Sequence, residues 1–317
     1  MKPMHALAVL PLAIGLINEA VRTPAAPAPA IAKTAGAKQF TIPLSSLQDW
    51  SQAVVVTLDS VHIEGHSAVH PVASDCEMHL GAHTISFAGD PDGLVLEPMN
   101  ACVQPLLPNT PQNNKDWTDF GDKITGTSVT ASGVPRIWPE HLIGGGASNP
   151  NHAVELHPLT ELVSASGTFD FAPNIFAGGF QGGLSESTAL KIVQQLAVTV
   201  TTNGKFADIS FSAGTIGNFT VLDLAIDPNS IRADAGGSFR MDGEVDSVPV
   251  RLVTAKGSLI NDEIKKLQSG GGPTANIQAL VLFSLSPESL LAAANKSNGS
   301  PTPVERPIQL ILYGPPE

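Results

Sequence analysis

The sequence predicts a mostly β or α+β protein with two β-rich regions, and two observations favour this class. Five strand-like segments, separated by turn residues, lie between residues 53 and 158. Further strand-like runs and two or three short helical segments follow up to residue 313, with an Asn203-Gly204 turn typical of a β-hairpin. Because 317 residues is long for one core, we expect two domains.

The first region is expected to form a barrel. Its strand-like segments cover residues 53–63, 75–85, 94–102, 123–138 and 152–158. Long connections before the fourth and fifth strands favour a five-stranded OB-like barrel over residues 39–164, and the helix usual between the third and fourth strands is expected to be missing or reduced to loop. A small open sheet or sandwich is the alternative.

The second region, residues 165–317, is predicted to be an α+β or β-sandwich-like domain. Ser185 and Ser286 precede helical patterns as capping residues, and residues 258–268 form a third such pattern. Apolar strands are expected at 219–226, 248–254, 277–285 and 307–313. We detect no internal repeat in the sequence.

The N-terminus is typical of an exported protein. Lys2 and the apolar run 6–17 predict a signal peptide over residues 1–23, with a disordered Ala/Pro-rich linker over 24–38. A buried N-terminal helix is the alternative. No second apolar run approaches transmembrane length, so we expect a periplasmic or extracellular protein with no membrane span in the mature chain.

Charge is distributed unevenly. The chain carries 17 basic and 29 acidic residues, a net charge of −12. Residues 38–164 hold 4 of the basic and 14 of the acidic residues, and eight of nine histidines lie between His62 and His157. An acidic surface repels nucleic acid, so the expected partner is a cation, a small ligand or an extracellular protein.

Two cysteines provide a register test for the second and third strands. A hairpin centred near Gly89 places Cys76 opposite Cys102 and puts apolar residues on one face. An exported protein is expected to join such cysteines in a disulfide, whereas two buried thiols are the alternative.

Acidic residues and histidines alternate on three of the predicted strands. If the apolar neighbours fill the barrel, five polar side chains emerge together on its outside: Glu77, His79, Glu97, Glu155 and His157. Carboxylates beside imidazoles suit a divalent metal such as zinc or manganese. The adjoining rim residues are His66, His70, Arg136, Trp138, Glu140, His141 and His152. Hydrogen-bonded Glu–His pairs on a solvated sheet face are the alternative.

Three functions remain open from these residues. The leading hypothesis is an exported binding protein whose ligand, with a possible divalent metal, lies on the Glu/His face. A secreted metal-dependent hydrolase would use Glu97 or Glu155 as the general base. A non-catalytic structural envelope protein is the third. Packed carboxylates repel one another, so at least one is expected to hold its proton more firmly than an isolated acid.

Three stretches resemble a set of uncharacterised exported bacterial proteins. These are DCEMHLGAHT from Asp75, LVLEPMNAC from Leu94, and the segment from Gly133 to Leu159 that ends in NHAVELHPL. The resemblance covers residues 40–164 and implies an OB-like module, distantly similar to the staphylococcal-nuclease barrel, and an exported location. Arg136 is the sole arginine of this region, so the resemblance does not imply nuclease activity.

Overall fold

The structure is a computed structural model that describes residues 38–71, 74–103, 114–178, 183–212, 216–270 and 275–315. These residues belong to one compact unit, Lys33–Glu317. The predicted signal peptide and residues 24–37 of the predicted linker lie outside the described residues. Among the described helices, none is both long and apolar enough to cross a membrane.

The first half of the chain alternates strands with two helices. Its elements are β1 (Lys38–Pro43), α1 (Leu44–Gln52), β2 (Val56–His66), β3 (Leu80–Thr84), β4 (Gly93–Leu96), α2 (Asn114–Ile124), β5 (Ser128–Ile137), β6 (His152–Ser164) and β7 (Gly167–Asp170).

The second half contains three helices and nine strands among its described residues. They are α3 (Glu186–Gln195), β8 (Ala197–Asn203), β9 (Phe206–Ser212), β10 (Phe219–Ile226), β11 (Arg232–Ala233), β12 (Phe239–Val245), β13 (Val248–Thr254), α4 (Leu259–Gly270), β14 (Ala275–Leu285), α5 (Pro287–Ser297), β15 (Thr302–Pro303) and β16 (Ile308–Gly314).

Strands β2 to β6 close into the predicted five-stranded barrel. The order is β4-β3-β2-β5-β6, and β6 pairs with β4 in parallel to complete the ring. This order, with the third and fifth strands parallel, is the connectivity of an OB fold. The expectation that the helix between the third and fourth strands is missing was wrong, because α2 occupies that position. Its apolar residues Trp117, Phe120 and Ile124 recur at helical spacing and are buried.

The second half forms another barrel with the same connectivity. Its strands are ordered β10-β14-β16-β13-β12, and a β10–β12 pairing closes the ring. Strands β13 and β16 are parallel, and α4 connects the third strand to the fourth. The chain is therefore a tandem of two OB-like barrels rather than a barrel and a sandwich. The two barrels share this connectivity, although we detect no internal repeat in the sequence.

Strands from one half of the chain pair with strands of the other half at two places. Strand β1 pairs with β9, with Lys38 opposite Phe211 and Pro43 opposite Phe206, and the sheet continues through β8 to β15. Strand β7, from beyond residue 164, extends the first barrel through β6. The division into two domains, residues 39–164 and 165–317, stays a prediction.

The first barrel is filled as its sequence predicts. Six alternating apolar residues have no solvent exposure and belong to the main core: Met78, Leu80, Leu94, Leu96, Val154 and Leu156. A separate core joins residues from both halves, and it includes Val54, Met99, Val134, Phe219, Leu282, Ile311 and Tyr313. Part of the outside of the first barrel is thus covered by the second half.

The cysteine prediction is confirmed, with a shifted hairpin register. Cys76 and Cys102 form a disulfide with a Cα–Cα separation of 5.0 Å. Leu80 pairs with Leu96, two residues from the predicted partner, Pro98. A shift of two residues keeps every side chain on its predicted face, which explains why the apolar pattern was right.

Candidate functional site

The five residues predicted to converge do so, and we call them the Glu/His cluster: Glu77, His79, Glu97, Glu155 and His157. Glu155 and His157 alternate on β6, whereas Glu77 and His79 lie just before β3. Glu97 follows β4 directly, and the parallel pair Leu96–Leu156 places it beside His157. Barrel closure, rather than nearness in sequence, therefore assembles the cluster.

His157 is the centre of the cluster. Its Nε2 lies 2.8 Å from Glu77 Oε1, and its Nδ1 lies 2.6 Å from Glu97 Oε2. The same Nδ1 is 3.4 Å from Glu155 Oε2. The other oxygen of Glu97 lies 3.3 Å from His79 Nε2. Both ring nitrogens of His157 thus face carboxylates.

The alternative of hydrogen-bonded Glu–His pairs on a solvated face was right about the pairs and wrong about the solvent. Glu77, Glu97 and Glu155 are 1%, 4% and 2% exposed, and His157 is not exposed at all. The ring of His157 packs against Phe219 and Tyr313 of the second barrel, at centroid distances of 5.4 and 6.3 Å. An apolar second-half surface covers these carboxylates, which the first half alone could not reveal.

Arg136 ties the cluster to the second barrel. Its guanidinium donates to Glu155 Oε2 at 2.5 Å and to the backbone oxygen of Phe283 at 2.9 Å. It also donates to the side chain of Asn218 and to Glu140 at 3.3 Å. Arg136 is 1% exposed, so it pairs with nearby acids instead of contacting a ligand from a mobile loop.

His152 extends the network on the side of the loop before β6. Its Nε2 lies 3.0 Å from Glu155 Oε1, and its Nδ1 lies 2.8 Å from the backbone oxygen of Pro150. The ring of His141 stacks on His152 with centroids 5.1 Å apart. Both predicted rim histidines of this loop therefore join the cluster region.

The remaining rim residues take other roles. His66 lies 3.1 Å from Asp122 on α2, and His70 pairs with Asp75 at 2.7 Å while its ring contacts His79. Trp138 is 1% exposed and stacks on Phe283, so it is a core residue.

Burial and charge divide the three carboxyl groups. Burial raises the pKa of Glu77 to about 8, although His157 opposes this. Burial also acts to raise the pKa of Glu97 and of Glu155, but their positive neighbours lower both. For Glu97 these neighbours are His79 and His157, and for Glu155 the main one is Arg136. One carboxyl group was expected to hold its proton firmly because of repulsion between carboxylates, but the main cause of the raised pKa of Glu77 is burial, and the charge of Glu97 adds less.

The histidine at the centre behaves oppositely. Burial acts to lower the pKa of His157, but its interactions with the carboxyl groups around it, Glu77 and Glu97 among them, outweigh burial and raise the pKa well above its ordinary value. A protonated His157 and Arg136 then balance the charges of Glu97 and Glu155. Neither Glu97 nor Glu155 is a good general base near pH 7, since a general base works best when its pKa lies near the operating pH.

Sequence reasoning missed two residues of the site. Tyr313 is the one tyrosine of the chain and lies in the apolar strand β16, where it was assigned to the core. Its hydroxyl is buried and has no hydrogen-bond partner among the described residues. Asn218 precedes β10 and carries no motif. Only their contacts reveal them, of Tyr313 with His157 and of Asn218 with Arg136.

Three overlapping groups of side chains can hold a metal ion, each with ligand atoms within 4.8 Å of one another. Two of them lie in the cluster and share Glu97: Glu77–His79–Glu97 and Glu97–Glu155–His157. The third, His70–Asp75–His79, is half-buried.

No family profile, no curated protein and no solved structure matches this chain. The resemblance to exported bacterial proteins therefore stays a prediction.

Proposed function

We propose that this protein is an exported binding protein that holds one divalent cation, zinc or manganese, in the Glu/His cluster. The observation that carries the proposal is the convergence of two buried carboxylates on His157, at 2.6 and 3.4 Å from one ring nitrogen. Two ligands bound to one zinc at tetrahedral angles lie about 3.3 Å apart. The Glu155 oxygen has that spacing from His157, whereas the Glu97 oxygen is at hydrogen-bond distance and would move outward by less than about 1 Å when an ion enters. The cluster thus has the donor types of a zinc or manganese site.

The surroundings of the cluster also suit an ion. Buried carboxylates are stabilised by pairing or by metal coordination, and three of them meet here. The partnerless Tyr313 hydroxyl supplies a further buried oxygen whose environment is electrostatically linked to His157 and Glu77. Glu97 belongs to both ligand sets of the cluster, so we assign it the central role.

Burial favours binding over hydrolysis. A hydrolase needs its metal or its general base to reach a substrate, yet Glu97 and Glu155 are 4% and 2% exposed. Glu155 is in addition paired with Arg136. The ion would therefore stabilise the packing of the two barrels, and the ligand of the binding protein would meet other surfaces.

The test is metal loading of the purified, metal-stripped protein. We expect zinc or manganese at one equivalent per chain by elemental analysis after desalting, and a higher melting temperature, since a ligand at 100 times its Kd stabilises by about 2.7 kcal/mol. Glu97→Gln should abolish both effects while keeping the shape of the side chain. His83→Ala is the matched control, because His83 is an exposed first-barrel histidine paired with Glu64, outside the cluster.

A structural role without metal is the second candidate, and the complete internal pairing of Arg136 and His157 favours it. In that case the stripped wild-type protein takes up no stoichiometric metal and its melting temperature does not change on metal addition. This outcome would end the metal-binding proposal. Turnover of ester, phosphodiester or glycoside substrates that depends on Glu97 would instead favour the hydrolase.

A further inference from the structure

The second barrel carries an open groove on the face where OB folds bind ligands. That face consists of the second and third strands with the loops after the first and fourth strands. In this barrel the strands are β12 and β13, and the loops contain β11 and α5. Two adjoining cavities of about 410 and 280 Å³ lie there and share Arg251 and Glu288.

The groove concentrates positive charge in an acidic protein. Five cationic side chains line the two cavities: Arg232, Arg240, Arg251, Lys296 and Arg306. Three carboxylates accompany them: Asp242, Glu288 and Glu305. Four of the six arginines of the chain thus converge on one face, with more cations than carboxylates, while the whole chain has a net charge of −12. We call this surface the arginine groove.

Internal pairing leaves part of this charge uncompensated. Arg251 donates to Asp242 at 2.7 Å and to Glu288 at 3.1 Å, but its Nε is buried without a partner. Asp242 also serves Arg306, at 3.7 Å. Arg232 is exposed, and no described carboxylate lies within ion-pair distance of it.

We propose that the arginine groove binds a small organic anion with two or more carboxylate groups. Guanidinium groups form paired hydrogen bonds with carboxylates, whereas Arg251 donates only one hydrogen bond to each of its two internal carboxylates. The cations with no carboxylate partner or only a distant one stand at separate places, Arg232 by β11 and Arg306 before β16, so they fit separate single charges better than one dense phosphate. The larger cavity has the size of a small-molecule site.

Nucleic acid fits this groove less well. Single-stranded nucleic acid is held by aromatic side chains on which bases stack. The one aromatic residue lining the cavities is Trp50, which is 4% exposed. The proposal is independent of the metal site, since none of the cluster residues lines the groove.

The experiment is calorimetric titration of the full-length protein with citrate at constant ionic strength, beside inorganic phosphate, acetate and a single-stranded oligothymidine. We expect citrate to bind at one equivalent, more tightly than phosphate or acetate. Arg232→Gln combined with Arg306→Gln should weaken citrate binding at least tenfold. Both arginines are exposed, so the melting temperature should stay unchanged.

Lys265→Gln combined with Lys266→Gln is the charge-matched control. These lysines are exposed on α4 and line neither cavity, so removing them changes the net charge equally and should leave citrate binding intact. The proposal is wrong if citrate does not bind, if both double variants weaken it equally, or if phosphate or oligothymidine binds more tightly than citrate.

Discussion

Two arginine–carboxylate pairs show how differently the barrels use the same chemistry. In the first barrel the side chains of Arg136 and Glu155 are 1% and 3% exposed, and the pair is sealed beneath the second barrel. In the second barrel the side chains of Arg251 and Asp242 are 28% and 41% exposed and line a groove. The connectivity of the two barrels is the same, so solvent access, and not fold, decides which pair supports structure and which is open to a ligand.

The equivalent ligand faces differ in the same way. In the first barrel, the loop of residues 138–151 lies against β3 and β4. A Cβ added to Gly81 would be 1.9 Å from the backbone oxygen of Ala147, and one on Gly93 would be 2.2 Å from that of Asn151. These glycines allow the loop to close over the β3/β4 face of the first barrel. The equivalent face of the second barrel is open.

The largest expected effect comes from removing the buried carboxylate. Glu155→Ala leaves Arg136 charged and buried with weaker partners, and breaking such a pair costs about 3–5 kcal/mol. Chemical denaturation of the metal-free protein measures the loss. Glu161→Ala is the control on the same strand, because Glu161 is exposed and its removal should change stability by less than about 0.5 kcal/mol.

Equal effects of the two variants would contradict the contrast between a sealed and an open pair. They would show that the polar network between the barrels is solvated in solution, and that water hydrates the Arg136 guanidinium in the Glu155→Ala variant.

The next largest effect concerns the disulfide, for which the second barrel has no counterpart. Cys76→Ser with Cys102→Ser opens a link between residues 26 apart in sequence, and loop closure predicts a loss of about 3.5 kcal/mol. Because Glu77 adjoins Cys76, metal affinity should fall as well. Denaturation and metal titration of the double variant measure both effects. An unchanged metal affinity would show that barrel closure alone positions Glu77.

The sequence predicted the first barrel and its cluster because both follow from alternation. Residues on one strand face, such as Glu155 and His157, stay together whatever the register, and the hydrophobic pattern fixed the parity of β3 and β4. The same pattern could not decide whether that face meets water. The residues that bury this face, including Tyr313, lie on apolar strands of the second half. The pattern of these strands is that of any strand in a hydrophobic core.

The second barrel was harder to predict for a related reason. Its strands and helices were expected near their observed positions, but nothing local shows that β10 pairs with both β12 and β14 to close a ring. The arginine groove depends on that closure, because Arg232, Arg251 and Arg306 lie far apart in the sequence. The helix α2 was missed because its N-terminal side follows a long Pro/Asn/Gln-rich stretch, which favours loop.

A smaller effect is expected from disturbing the loop that covers the first barrel. Gly81→Ala forces the backbone at Ala147 to move, and such overpacking costs about 1–3 kcal/mol. Gly145→Ala in the same loop is the control, since nothing lies within 4 Å of its added Cβ. Amide hydrogen exchange of residues 143–151 should quicken only in the first variant. Equal exchange in both would show that the loop does not lie on this face in solution.

The smallest effect on stability, and the sharpest contrast with Glu155→Ala, is expected for Asp242→Asn. Its pair with Arg251 is partly exposed, and exposed ion pairs contribute about 0–1 kcal/mol. Removing this carboxylate also frees charge on Arg251 and Arg306, so citrate should bind the arginine groove more tightly than in the wild type. Denaturation of this variant measures what the pair contributes to stability, and calorimetry measures how far Asp242 competes with citrate for the arginines. A loss of several kcal/mol with weaker citrate binding would mean that Asp242 builds the groove instead of competing with its ligand.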